Sequence, residues 1–294
     1  MAEELATLET SDEVVYLAYR ARRRNSRKGE NGRVLVVGGS YLYHGAPLLS
    51  ALGASKVGVD LVYLAVPNVI AAPIRAYSPT FIVLPLPDAK LTVGCVNKLL
   101  KWLPEVDAAV VGPGLGKQKT DGMKKLVREL TFKGVKVVLD ADALRAEVTQ
   151  EVAGKPSVLT PHQGEFKRIF NKDLDEKLEN RALALKEAAA IAKTTILLKG
   201  AVDIISDGTR VAFNKTGTPA MTVGGTGDVL AGVVAAFLAL GAEPFAAAAA
   251  GAYINGLAGE AAEKELGLHI TAVDVAEKIP YVLKRFDRVA DTVA

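Results

Sequence analysis

The sequence predicts an α/β fold of three layers: a mostly parallel central sheet with helices on both faces. Three observations predict it. Short apolar runs rich in Val, Ile and Leu recur from one end of the chain to the other, and longer stretches with helical spacing fall between several of them. The runs are continuously apolar rather than alternating, as in strands covered on both faces, and their order matches βαβ units. Half of the 294 residues are hydrophobic, enough for one large core. No repeat, low-complexity linker or composition shift divides the chain. One domain over 1–294 is expected, with 1–30 as an N-terminal polar segment.

The first strand is Arg33-Val-Leu-Val-Val37, bounded by Gly38-Gly39-Ser40, and Pro47 to Val57 then carries apolar residues at helical spacing. Further strands fall at Leu61–Ala65, Phe81–Leu84, Ala108–Val111, Val135–Leu139, Ser157–Leu159 and Ile196–Leu198. Thr120 to Phe132 and Leu178 to Lys193 are helical patterns between them. Two features break the alternation. Asp203 to Gly208 followed by Arg210 to Phe213 has the form of a hairpin turning at Asp207-Gly208. The chain then becomes strongly helical, over Thr226 to Ala239, Pro244 to Lys264 and Ala272 to Arg285.

Composition excludes several classes. The net charge of +3 is too mild for a nucleic-acid footprint. The basic cluster from Arg20 to Lys28 lies in the polar segment and is expected to be a solvated leader. Cys95 is alone, so no intrachain disulfide and no cysteine-based metal site is available. Met1 to Thr10 is acidic and polar, unlike a signal peptide, and no apolar window is long enough to span a membrane. A cytoplasmic protein is expected, with neither a membrane nor a nucleic acid as partner.

In an open parallel sheet, ligands bind at the carboxyl ends of the strands. Five of those ends carry glycine, acid, histidine or lysine: Gly38–Ser40 with His44-Gly-Ala-Pro47, Gly112-Pro-Gly-Leu-Gly116, Asp140-Ala-Asp142, Thr160-Pro-His-Gln-Gly-Glu165, and Lys199-Gly200. They point to one shared site. The strongest signal is Asn214-Lys-Thr-Gly217 followed by Gly224-Gly-Thr-Gly-Asp228. Glycines running into a helix leave free backbone N–H groups at the positive end of its dipole, which suits a phosphate or a developing negative charge. A carboxylate there can accept a hydroxyl proton during phosphoryl transfer. Asp228 is equally well placed to cap the helix.

Other residues keep two readings. His162 is either a ligand contact or a structural histidine, and Glu165 either acts in the site or favours a helix dipole. Lys199 meets a phosphate or stands at the surface. Asp140 and Asp142 either reach magnesium through water or cap the following helix. A P-loop is excluded because no Gly-x-x-x-x-Gly-Lys-Ser/Thr occurs, and Gly112–Gly116 does not match a dinucleotide fingerprint.

Taken in order, these motifs resemble the ADP- or ATP-dependent NAD(P)H-hydrate dehydratases of the ribokinase-like superfamily, over nearly the whole chain from about Asn25 to about Leu283. Gly32 to Ser40, Gly45-Ala-Pro47, Gly112 to Gly116, Asp140 to Leu144, Thr160 to His162 with Gly164-Glu165, Lys199-Gly200 and Gly224 to Leu230 carry the resemblance. It implies the ribokinase-like fold and dehydration of hydrated NADH and NADPH through a phosphorylated intermediate, with ADP or ATP and Mg2+. By position, Asp228 matches the catalytic base and Gly225, Thr226 and Gly227 the anion hole. Ala46, Gly114 and His162, with Asp228, match contacts to the hydrated dinucleotide. Lys199, Gly200, Ala201, Val202 and Asp203, with Gly225 to Gly227, match the adenine-nucleotide side. No metal ligand is assigned.

A homo-oligomer, such as a tetramer, is also implied, and the Ala-rich stretch Ala246 to Ala252 can serve its interface or the chain's own core. Gln163 departs from a usual Pro, Arg27 from a common His and Arg145 from a frequent Asn. The upstream epimerase domain often fused in this family is expected to be missing. Two rivals remain: a small-molecule kinase that stops after phosphoryl transfer, and a nucleotide sensor without turnover.

Overall fold

The predicted apolar runs form the strands of one ten-stranded sheet. The computed structural model describes residues 7–291, so Met1 to Ala6 of the acidic first stretch lie outside it. The elements in chain order are β1 (Thr7–Glu9), α1 (Asp12–Ala18), β2 (Arg22–Arg23), β3 (Arg33–Val37), α2 (Gly45–Val57), β4 (Leu61–Pro67), α3 (Asn68–Tyr77), β5 (Ile82–Leu86) and α4 (Val93–Trp102). β6 (Ala108–Val111), α5 (Asp121–Phe132), β7 (Lys136–Leu139), α6 (Ala146–Thr149), β8 (Ser157–Leu159), α7 (Gln163–Phe170), α8 (Leu178–Ala192) and β9 (Thr195–Leu198) follow. The chain ends with β10 (Asp203–Ser206), β11 (Val211–Asn214), α9 (Thr226–Ala239), α10 (Pro244–Leu266), α11 (Ala272–Leu283) and β12 (Val289–Ala290).

The sheet order is β1-β11-β10-β9-β8-β7-β6-β3-β4-β5. The strands from β9 to β5 are all parallel, and β10 and β11 form the expected antiparallel hairpin. From β3 the chain winds outward through β4 and β5, then returns to β6 on the other side and winds away through β7, β8 and β9. The order therefore reverses between β3 and β6, where an open α/β sheet leaves a crevice.

Alternation along each buried strand sends side chains to two separate cores. Val34 and Val36 of β3 join the core under α2, α9, α10 and α11, while Leu35 and Val37 join the core under α4, α5 and α8. Each fully buried Val or Leu contributes roughly 1.5–3 kcal/mol of transfer free energy, which is why both faces of the sheet are covered. Ala246, Ala247, Ala248, Ala250 and Ala252 pack in the first core and Ala249 is buried as well, so the Ala-rich stretch serves the chain's own interior.

The N-terminal segment corrects one expectation. Instead of a wholly solvated leader, β1 pairs parallel with β11, α1 buries Val15 and Ala18, and β2 pairs with β12 at the far end of the chain. The Arg20 to Lys28 cluster is accordingly tied down. Arg20 donates to Glu30 O at 2.7 Å and Arg22 to Gly58 O at 2.6 Å, although the guanidinium groups of Arg22 to Arg24 keep most of their surface in water. These partners are distant in sequence, so no local pattern announces them. Among the described residues, no helix is long and apolar enough to cross a membrane.

Candidate active site

The reversal point brings two glycine-rich strand ends together. Gly39 donates its N–H to Pro113 O at 2.8 Å, and Gly112 donates to Val37 O at 3.1 Å. A Cβ on Gly38 would lie 2.2 Å from Pro113 O, and one on Gly112 would lie 1.8 Å from Asp140 O. Only glycine permits this closeness. The same crowding sets Gly114 beside the start of α2, where an added Cβ would lie 3.1 Å from the Ala46 methyl.

α2 then carries this region to the start of α9. Gly53 and Gly232 let the two helices touch backbone to backbone, an added Cβ on Gly232 meeting Ser50 O at 1.9 Å. Ser50 Oγ lies 2.9 Å from Asp228 O and 3.4 Å from Ala46 O, so it can donate to either carbonyl and bridges the two predicted positions.

α9 begins on Gly225, whose φ of +99° places it in the left-handed region, and no side chain caps the helix. The first N–H groups of the helix are left without intrahelical partners there. Asp228 stands in this first turn, and its carboxylate takes part in no hydrogen bond among the described residues. The capping reading of Asp228 therefore fails. Burial, reinforced by nearby Asp140 and opposed by Lys199, pushes its carboxyl up to about 7. It can take up or release a proton near neutral pH.

The ends of β7, β8 and β9 supply the charges around it. Lys199 Nζ lies 2.9 Å from Asp140 Oδ1 and 3.9 Å from Glu165 Oε2. Burial alone would lower the Lys199 ammonium, but Asp140 and Glu165 overcome it and hold the group charged. Lys199 is thus not a surface residue. Its ammonium also lies 3.3 Å from where a Cβ of Gly227 would stand, so it faces the anion-binding turn. Asp140 accepts from Thr160 Oγ1 at 2.8 Å as well, and Asp142 accepts from the Gly116 N–H at 2.8 Å. Neither caps the following turn by a side-chain bond.

His162 is a helix cap. Its Nδ1 accepts from the N–H groups of Gly164 and Glu165, and Glu165 Oε2 accepts from the His162 N–H at 2.9 Å. This reciprocal box fixes the start of α7. Both readings of Glu165 hold together: it closes the cap and is a counter-ion of Lys199, and burial raises its carboxyl. The His162 side chain is 60% exposed, so its ring face stays open toward solvent.

Beside Lys199 opens a cleft of about 610 Å³. Lys199, Gly200, Ala201, Asp203, Thr226 and Gly227 line it, as the sequence groups them. Val202 and Gly225 do not. Val202 is half-buried behind the turn, and an added Cβ on Gly225 would point at Leu49, 2.4 Å away. Asp203 accepts from the Gly200 N–H and from Asn214 Nδ2, and burial pushes its carboxyl up to about 6. The rest of the lining comes from the Thr216 to Thr222 loop and Leu230, which continue the Asn214–Gly217 and Gly224–Leu230 motifs, and from Ala252, Asn255 and Gly256 of α10, residues that no sequence motif marks.

The donors present suit magnesium carried by phosphates and water. Among the described residues no three His, Cys, Asp or Glu side chains cluster to hold a metal, and Asp140 and Asp142 already have partners. Magnesium commonly keeps several waters and binds through one or two carboxylates and phosphates.

Comparison with known proteins follows this geometry. A family model described as NAD(P)H-hydrate dehydratase matches residues 34–281. A protein of Cenarchaeum symbiosum named ADP-dependent (S)-NAD(P)H-hydrate dehydratase is 52% identical over 91% of this chain and 94% of its own length. One of the same name from Nitrosopumilus maritimus is 49% identical over 92% of this chain and 94% of its own. Among solved structures, the ADP/ATP-dependent NAD(P)H-hydrate dehydratase of Bacillus subtilis, co-crystallised with ATP and Mg2+, superposes with a TM-score of 0.83. It is 28% identical and covers 97% of this chain and 100% of its own.

Proposed function

The chain belongs to the NAD(P)H-hydrate dehydratase family, and from that premise we propose that it restores NADH and NADPH from their S-form hydrates with an adenine nucleotide as phosphoryl donor. The observation that carries the reading is the Asp228 carboxylate, poised near neutrality in the first turn of an uncapped helix beside a cleft of about 610 Å³.

The chemistry follows from leaving groups. Hydration adds water across a ring double bond, and hydroxide is a poor leaving group at neutral pH. Asp228 takes the proton of the ring hydroxyl as its oxygen attacks the terminal phosphorus, and the bridging P–O bond breaks so that its electron pair leaves with the shortened nucleotide, AMP from ADP or ADP from ATP. The phosphate then departs with the C–O electron pair, a proton leaves the neighbouring carbon, and the ring double bond re-forms. A positioned base contributes roughly 10²–10⁴-fold. The backbone N–H groups of Gly225, Thr226 and Gly227 receive the charge that develops on the phosphoryl oxygens.

Lys199, Gly200, Ala201 and Asp203, with Thr226 and Gly227, hold the nucleotide, and Val202 supports the turn without lining the cleft. Ala46, Gly114 and His162 contact the hydrated dinucleotide. Magnesium, when bound with the nucleotide, neutralises phosphate charge. Lys199 acts through position: its own charge is balanced by Asp140 and Glu165, which hold the ammonium beside Gly227. A cytoplasmic location belongs to the same proposal, supported by Cys95 standing free and buried, and a homo-oligomer is proposed on the resemblance alone.

The test is an absorbance assay on hydrated NADH with magnesium and either ADP or ATP. Nucleotide-dependent return of the dihydronicotinamide band is expected. A stable phosphorylated product without that band would make the protein a kinase, and binding without turnover would make it a sensor.

A further inference from the structure

We propose that Asn255 recognises the purine base of the bound nucleotide, its carboxamide pairing with the amino-bearing edge of adenine. The inference rests on the nucleotide reading of the cleft. Asn255 is 5% exposed, lines the cleft from α10, and its Oδ1 is buried without a hydrogen-bond partner among the described residues. Buried polar side-chain atoms are nearly always paired, and one left alone asks for an explanation. A ligand supplies one.

The surrounding glycines explain how the slot forms. An added Cβ on Gly256 would lie 2.2 Å from Thr216 Oγ1, and one on Gly259 would lie 2.0 Å from the Met221 sulfur. Their absence draws the loop from Thr216 to Met221 onto α10, closing the far wall of the cleft. Charge assigns the phosphates to the other end, where Lys199 and the start of α9 stand. Met221, Leu230 and Ala252 give the cleft apolar faces, which suit a flat aromatic ring.

Such a ring still needs a polar partner at its edge. A carboxamide carries an acceptor and a donor side by side, the complement of an amino group next to a ring nitrogen. Asn pairs in this bidentate way with the N6 amino group and N7 of adenine in the major groove of DNA. Oδ1 is out of water, and rotation about the terminal side-chain bond, a broad torsion, turns it to the base.

Asn255→Leu, near in volume but without polar atoms, and Asn255→Ala test this. Calorimetric titration would use AMP, ADP and inorganic pyrophosphate, with melting of each free protein alongside. Both variants are expected to bind AMP and ADP about tenfold more weakly, the loss of a ligand hydrogen bond, with pyrophosphate affinity unchanged. Free Asn255→Leu is expected to melt at or above wild type, because the unpaired amide is gone. Wild-type affinities for AMP and ADP in both variants would overturn the inference. So would an equal loss for pyrophosphate, or a marked drop in melting temperature in both, which would mark a structural residue. If wild type itself bound neither AMP nor ADP, the nucleotide reading of the cleft would fall first, a result distinct from variants that bind as wild type does.

Discussion

The two ends of α9 are finished in opposite ways. At its carboxyl end the Lys136 ammonium donates to Leu238 O at 3.0 Å and Ala242 O at 2.9 Å, so a cation sits where the dipole wants one. At its amino end no side chain caps the helix, and the only acid of the first turn, Asp228, makes no side-chain hydrogen bond. The contrast extends across the sheet. Below the strands, Arg33 is locked to Asp107 and Glu105, and Asn31 to Asp60. Above them, Asp228 and Asn255 stand without partners, and Asp203 and Glu165 titrate above their usual range. One end spends its polar groups on stability, and the other keeps them for a ligand.

Asp228→Asn is the sharpest way to break that contrast. The change keeps shape and removes the base. Turnover is expected to fall roughly 10²–10⁴-fold with ADP affinity within about twofold of wild type, since the free N–H groups of α9 are untouched. Steady-state rates and calorimetric titration on one preparation would check it. Activity near wild type would take the base role from Asp228. In the wild type, kcat/KM should rise with pH up to about 7 and then level, because only the ionised carboxylate accepts a proton.

Lys199→Ala should show that the upper end depends on balance among charges. Removal leaves Asp140, which is 2% exposed, and Glu165 as neighbouring buried carboxylates without their cation. Loss of one partner of a buried pair costs about 3–5 kcal/mol. The expected result is a melting temperature lower by several degrees, together with nucleotide affinity weakened more than affinity for the dinucleotide. The double change Lys199→Met with Asp140→Asn should recover part of the stability. Single and double variants melting alike would show that the ion pair is not what holds the three strand ends.

Much of this upper end was legible in the sequence because its signals are local. The glycines of Gly38–Gly39, Gly112–Gly116 and Gly224–Gly227 follow directly on strands or precede a helix, and Gly38, Gly112 and Gly114 lie where the chain passes close to itself. The runs around Val34, Val110 and Val138 announced buried parallel strands for the same reason. What the sequence hid depends on distant partners. β1 exists only because β11 lies beside it, and β2 only because β12 does. The pairing of Asp140 with Lys199 spans 59 residues, so no local pattern announces it. Asn255 was visible only as a polar break in an alanine run. Its place in the cleft needed Gly256 and Gly259 to draw a loop against the helix.

Asp228→Asn also sharpens the comparison through stability. In the folded chain this carboxyl titrates near 7, against 3.8 in the unfolded chain, so the folded state holds the proton more tightly. The resulting stabilisation is complete below about pH 3.8 and is lost as pH rises through about 7. Asparagine mimics the protonated form at every pH. The variant should therefore be more stable than wild type at pH 8, by on the order of 2 kcal/mol after allowing for the partly open site. The gain should vanish below about pH 4. Melting curves across pH 4 to 8 would reveal it, and a pH-independent difference would mean that Asp228 does not titrate in this range.

Lys136→Met is the smallest and the cleanest contrast, because it acts on the other end of the same helix. The substitution keeps an apolar stem of similar length but removes the ammonium from Leu238 O, in the last turn of α9, and from Ala242 O just beyond it. The expected cost is about 1 kcal/mol, partly offset because burial already lowers this ammonium and disfavours its charge. For a chain of this size that lowers the melting temperature by roughly 2–4 °C. Turnover and nucleotide affinity should stay at wild-type values, since the first turn of α9 and its N–H groups are a whole helix length away and the dipole effect fades within a turn of each end. If kcat fell along with the melting temperature, the two ends would be coupled through the helix, and the division between a stabilising edge and a reactive edge would give way.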